Sequence, residues 1–107
     1  MSLKVVLCTS PSLDVAQTIA DALIQARLAA CVKIFPQVTS VYRWQEKVEH
    51  ATEVQLVIKT SSEALARAHQ LMNQLHPYDV PEWVVIEHAS ASHAYSQWVT
   101  QETTENN

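Results

Sequence analysis

Two residues of this 107-residue chain join a reactive side chain to a position that a fold could use: Cys8 and His76. Cys8 ends the run Leu3–Cys8, apolar apart from Lys4, and stands just ahead of Ser10-Pro11, which reads as N-cap and first position of a helix. A thiol beside a helix start is favoured as thiolate. His76 follows Leu75, the last apolar residue of a helical stripe, and precedes Pro77. It therefore stands at a helix end, where the macrodipole favours its protonated form. Within hydrogen-bond reach of each other, the two would make a nucleophile and its base. The competing readings are structural: Cys8 as a small buried hydrophobe, and His76 as a cap that closes the helix through its ring nitrogens.

The other chemically capable residues carry weaker patterns. Asp79 and Glu82 flank Val80-Pro81 and could act as acid and base, although two carboxylates three residues apart are common in turns. Glu82 could instead pair with Lys59 or Arg43 at a contact between subunits. Tyr42, Trp44, Tyr78 and Glu82 would then line a cleft between chains. His50, His88 and His93 fall in no ligand pattern, since neither H-E-x-x-H nor C-x-x-C occurs. Tyr95 and Trp98 read as a packing stripe. Cys31 reads as a buried strand residue. If the third strand lies between the first and second, Cys8 and Cys31 are about 9–10 Å apart, beyond the roughly 7 Å that a disulfide spans. Two free thiols are expected, as suits a reducing cytosol.

The elements that must position these residues follow from hydrophobic spacing. Leu3–Cys8 suits a central strand covered on both faces. Val15, Ile19, Ala22, Leu23 and Ala26 then recur at helical spacing. Ala29–Phe35 is a strand, broken at Pro36 and resumed over Val38–Trp44, with a turn at Gln45–Lys47. On the return strand Val54, Leu56 and Ile58 alternate with Glu53, Gln55 and Lys59. Thr60-Ser61-Ser62-Glu63 fits a capping box that opens a second helix, whose stripe is Leu65, Ala68, Met72 and Leu75. Trp83–Ile86 is a short strand, Ala91–Thr100 a final helix, and 103–107 a polar, frayed tail. The order βαββαβ plus a terminal helix is the ferredoxin-like α+β arrangement, in one domain over 1–107. The strands around residues 38–59 are long for such a domain, against a mean of about five or six residues. A projecting hairpin would leave Val41, Tyr42 and Trp44 exposed beside unpaired edges, which invite another chain.

Two stretches resemble the CutA family, named for divalent-cation tolerance. Val38-Thr39-Ser40-Val41-Tyr42-Arg43-Trp44 is similar to its V-T-S-x-Y-x-W strand, and Leu75-His76-Pro77-Tyr78-Asp79-Val80-Pro81-Glu82 to its H-P-Y-x-x-P-E segment. Leu28-Ala29-Ala30-Cys31-Val32 and Leu7-Cys8-Thr9 extend the likeness over about residues 3 to 100. The resemblance implies a homotrimer built through such strands. It also implies a role in metal tolerance, with a copper site at Cys8 and in the segment of His76, where this chain has one histidine and not an adjacent pair. Thiolate and imidazole suit copper, but two ligands make an incomplete site. Weak binding of copper or another divalent cation is expected, with no obligatory cofactor and no catalysis. The alternative is a small-molecule sensing or signalling trimer, holding an anionic or neutral metabolite in clefts between subunits lined by Tyr42, Trp44, Lys59, Tyr78 and Glu82.

Composition limits the remaining classes. Lys and Arg total 7 against 11 Asp and Glu, a net charge of −4, and no basic run offers the clustered cations that nucleic-acid binders use. The apolar stretch near the N-terminus is too short for a signal peptide or a membrane span, so a cytoplasmic protein is expected. Glycine is absent. Phosphate-binding loops of the P-loop and dinucleotide types need glycine where phosphate approaches the backbone, so both are excluded. The same absence lowers the entropy of the unfolded chain and favours thermal stability. The resemblance places glycines at position 37 and at the hairpin tip, where this chain has Gln37 and Gln45-Glu46-Lys47.

Overall fold

In the computed structural model, which describes residues 2–104, the first apolar run forms β1 (Leu3–Ser10), followed by α1 (Leu13–Gln25) and β2 (Cys31–Trp44). Then come β3 (Lys47–Ser61), α2 (Leu65–Leu75), β4 (Val84–Ile86) and α3 (His93–Glu102). The sheet order is β2-β3-β1-β4 and every pairing is antiparallel, the ferredoxin-like arrangement. Val6 and Cys8 of β1 join Val54, Leu56 and Ile58 of β3 on one face, packed against Ile19 and Leu23 of α1 and Ala68 and Met72 of α2. Each large side chain removed from water there contributes about 1.5–3 kcal/mol.

The ends of the elements differ from the sequence reading, because polar side chains serve tertiary bonds. Ser10 does not cap α1. It pairs with Val54 as the last residue of β1, and its hydroxyl donates to the Ser12 carbonyl at 2.8 Å. Ser12 is the cap, accepting from Val15 N–H at 3.2 Å. The buried stripe of α1 is Ala16, Ile19, Ala20 and Leu23, so Ala22 and Ala26 only flank it. The capping box at 60–63 does not form either. β3 runs on through Ser61, Thr60 Oγ1 donates to the Leu28 carbonyl at 2.7 Å, and α2 starts after Ala64 with no side-chain cap.

Ser61 accepts from Ala64 N–H at 3.3 Å and also from Thr103 Oγ1 at 2.9 Å. That buried bond draws Thr103 into the fold, against the expectation of a frayed tail from 103; residues 105–107 of that tail lie outside the described residues. Helix α3 is correspondingly later than expected, capped by Ser92 through Tyr95 N–H at 3.2 Å. Its carbonyl end is held by Arg27, which donates to Gln101 O at 2.7 Å and Thr104 O at 2.9 Å and pairs with Glu102 at 3.3 Å.

Strands β2 and β3, of 14 and 15 residues, form the projecting hairpin. Pro36 lacks an N–H, and the register slips between Phe35 and Val38. Beyond it, Val38 faces Glu53 and Trp44 faces Lys47, leaving a two-residue tip of Gln45 (φ 49°) and Glu46 (φ 67°). Two successive positive φ values are what a twisted two-residue hairpin demands; here neither residue is glycine. The hairpin stretches the molecule to 47 × 25 × 21 Å with a radius of gyration of 14.4 Å, above the about 13 Å of a compact chain this long. Val41 is 61 % and Trp44 51 % exposed.

Candidate functional site

The last residues of β1 and the segment after α2 meet at the base of the hairpin. Cys8 is fully buried and donates through Sγ to the Thr9 carbonyl at 3.6 Å. His76 is buried at the C-terminus of α2, its Nε2 2.7 Å from the same carbonyl. Sulfur and ring nitrogen are therefore no more than about 6 Å apart. Neither is free. Nδ1 of His76 accepts from Tyr78 N–H at 3.2 Å, so Nε2 must carry a proton and donate to Thr9, and both ring nitrogens are occupied in the neutral form. Burial, with the Glu82 carboxylate nearby, pushes the Cys8 thiol up to about 12. The thiolate expected from the helix start does not form, because α1 begins beyond Ser12 and desolvation outweighs its dipole. Nor does His76 bond to Cys8 as a base would; it ends α2 through its backbone N–H on the Met72 carbonyl at 2.9 Å, while its ring nitrogens, expected to close the helix, reach Thr9 and Tyr78 instead.

Next to this closed pair lies an open groove of about 770 Å³ between the hairpin face and the segment after α2, lined by Tyr42, Trp44, Glu53, Tyr78, Asp79 and Glu82 among others. The register explains the hairpin wall. Val38 opposes Glu53, and side chains at two-residue steps share a face, which brings Tyr42 and Trp44 to Glu53's side. Tyr78 lines the groove beside Glu53, and its ionisation is pushed up by burial, by the Glu53 and Tyr42 charges and by hydrogen bonding towards Glu53. Tyr78 also lies against His76, ring centroids 4.9 Å apart. Glu82 accepts from Gln55 Nε2 at 3.3 Å, and the same amide nitrogen donates to the Cys8 carbonyl at 2.9 Å.

Four of the five cleft residues expected from sequence thus meet: Tyr42, Trp44, Tyr78 and Glu82. Lys59 does not join them. It lies six residues along β3 from Glu53, about 20 Å at strand rise, with its ammonium 5.3 Å from the Tyr95 ring centroid. Glu82 bonds to Gln55 and not to Lys59 or Arg43. Two contributors escaped the sequence reading, Glu53 and Gln55. Alternation put both on the face away from Val54, Leu56 and Ile58, and there Glu53 is only 8 % exposed. The signal that finds it is its place opposite the β-branched Val38, legible only once the slip at Pro36 is known. Cys8 and Cys31 are both free thiols. Among the described residues no group of three His, Cys, Asp or Glu is placed to hold a metal ion, and no helix is long and apolar enough to cross a membrane.

An antiparallel β2-β3-β1-β4 sheet backed by two helices, with a projecting hairpin and an aromatic, acidic groove at its base, defines a small ferredoxin-like α+β protein. The chain belongs to the CutA1 divalent ion tolerance protein family, whose family model matches residues 4–102. It is 45 % identical over 100 residues to the divalent-cation tolerance protein CutA of Thermus thermophilus, covering 94 % of this chain and 97 % of that protein. It is 38 % identical over 102 residues to human protein CutA, covering 95 % of this chain and 57 % of the human protein. The crystal structure of CutA from Xylella fastidiosa matches with a TM-score of 0.93 at 36 % identity, covering 97 % of this chain and all, 100 %, of the other.

Proposed function

We propose that this chain acts, as a homotrimer, in the cell's response to divalent metal ions, and that its contact with copper at Cys8 and His76 is weak. Membership of the CutA1 family supports the metal role. The exposed apolar hairpin, flanked by open edges on β2 and β4, supports assembly. The observation that carries the weak contact is the shared Thr9 carbonyl. Sulfur and nitrogen are neighbours, yet a metal ion must break their hydrogen bonds and remove the thiol proton. Ionising a thiol of pKa about 12 at pH 7 costs about 7 kcal/mol, at 1.36 kcal/mol per unit. The same step costs about 3 kcal/mol for a thiol of pKa 9. The difference, about 4 kcal/mol, weakens affinity about a thousandfold. Titration calorimetry with copper, comparing the native chain with Cys8→Ala and His76→Ala, tests this. Weak heats that fall in both variants are expected; heats unchanged by either substitution would remove the site. The reading is non-catalytic, needs no obligatory cofactor, nucleic acid or membrane, and places the chain in the cytoplasm, where two free thiols persist.

The groove favours a second reading, a sensing or signalling trimer whose small ligand sits in clefts at subunit boundaries. Its about 770 Å³ falls within the roughly 300–1,000 Å³ of small-molecule sites.

A further inference from the structure

The lining of the groove specifies more than its volume does. Three aromatic rings open onto it: Tyr42 at 45 %, Trp44 at 51 % and Tyr78 at 41 % exposure. They come from two separate elements, the hairpin and the segment after α2. Three carboxylates, Glu53, Asp79 and Glu82, share the lining, and none of the lining residues is Lys, Arg or His. Of the anionic or neutral metabolite expected from sequence, the anionic kind has no counter-charge in this chain's lining, since Lys59 lies on the far part of β3 against Tyr95. A bare metal ion does not fit either: the carboxylates are not gathered into a ligand set, and rings do not ligate hard cations. A large, soft, weakly hydrated cation meets both halves of the lining at once, ring faces for its alkyl groups and quadrupole attraction, carboxylates for its charge.

We propose that the groove at the base of the hairpin binds an organic cation, an alkylated ammonium group seated against Tyr42, Trp44 and Tyr78 and facing Glu53 and Glu82. The proposal deepens the second reading above and rests on it. Glu53 is the positioning charge: it lines the groove beside the rings while only 8 % exposed, and Glu82, tied to Gln55, is the second carboxylate held in place there. Tyr78 is thus both a wall of the groove and the link between it and the closed Cys8–His76 pair, through its N–H on His76.

The test titrates the full chain, in its native assembly, with choline and separately with 3,3-dimethylbutan-1-ol, the neutral analogue of the same shape. Backbone and indole NMR shifts are followed at constant ionic strength. Choline should saturate at least tenfold more tightly than the alcohol, with shifts centred on Tyr42, Trp44 and Tyr78. Glu53→Gln and Trp44→Leu should each weaken choline at least fivefold, while Trp98→Leu, an exposed tryptophan on α3, should leave it unchanged. Because Trp44 lies on the exposed hairpin, its variant keeps the test usable if Glu53→Gln fails to fold. Equal affinity for choline and the alcohol would overturn the choice of a cation and leave the small-molecule reading standing. No saturable binding of either, as when a side chain of a second copy already fills the groove, would overturn both. Equal losses in the Trp44 and Trp98 variants would place the binding elsewhere and overturn the proposal.

Discussion

Replacing Arg27 separates two effects that the structure superimposes on one residue. Its backbone is left-handed, φ 59°, at the turn after α1, where Leu28 N–H and Ala29 N–H both return to the Leu23 carbonyl at 2.9 and 3.2 Å. That conformation costs a residue with a Cβ about 1–2 kcal/mol. Its guanidinium caps the carbonyl end of α3 on Gln101 and Thr104 and pairs with Glu102. Two charged bonds to carbonyls, discounted for a side chain that is 34 % exposed, contribute about 1 kcal/mol each, and the ion pair about 0–1 kcal/mol. Arg27→Ala keeps the strain and loses the clamp, so it should destabilise by about 2–3 kcal/mol. Arg27→Gly also loses the clamp but relaxes the backbone. Glycine's larger unfolded-state entropy offsets part of that gain, leaving a net loss of about 1–2 kcal/mol. Urea unfolding at one fixed protein concentration measures both, since assembly makes stability concentration-dependent. Arg27→Ala within about 0.5 kcal/mol of the native chain would refute the clamp. Arg27→Gly less stable than Arg27→Ala would refute the argument from φ.

Three further outcomes follow from the same geometry. The Cys8 thiol titrates near 9 when unfolded and near 12 when folded, so folding keeps its proton. Its contribution is whole below pH 9 and is lost as pH rises towards 12, by up to about 4 kcal/mol; Tyr78, also raised, adds in the same direction. Urea midpoints from pH 8 to 11 should fall in the native chain and fall less steeply in Cys8→Ala. His76→Ala leaves the Tyr78 N–H without its acceptor and the Thr9 carbonyl with the Cys8 thiol alone and should cost about 1–3 kcal/mol in the same assay. Replacing Gln45-Glu46 by Asn-Gly gives the hairpin tip the residues its two positive φ values favour and should raise stability by about 1–2 kcal/mol, read as a higher thermal midpoint.

Much of this fold was legible because its core obeys simple periods. Val54, Leu56 and Ile58 alternate and are buried at 4 %, 0 % and 0 %; Ile19 and Leu23, four apart, meet them from α1. The order of elements and the long hairpin followed from such patterns. Element ends did not, because a serine or threonine reads as a cap from its neighbours alone. Ser10, Thr60 and Ser61 have cap-like surroundings, yet Ser10 is drawn into β1 by its pairing with Val54, and Thr60 and Ser61 bond to Leu28 and Thr103, none of which the local pattern contains. The site was only partly legible in sequence for a related reason. Cys8 looked activated because a helix start follows it, but how deeply a strand end is buried is a tertiary fact. Lys59 of the same chain does not line the groove, because six residues of extended strand separate it from Glu53 and carry it towards Tyr95.

The claim on which the functional reading leans most is that the projecting hairpin and open sheet edges are an assembly surface. Light scattering on the purified chain tests it directly. A single species of about 36 kDa, three copies of the 12.0 kDa chain, is predicted across a hundredfold range of concentration, with a shift to lower mass when Val41 and Val48, exposed on the hairpin face away from Trp44, are both replaced by serine. A native chain that stays at 12.0 kDa throughout that range would contradict the account.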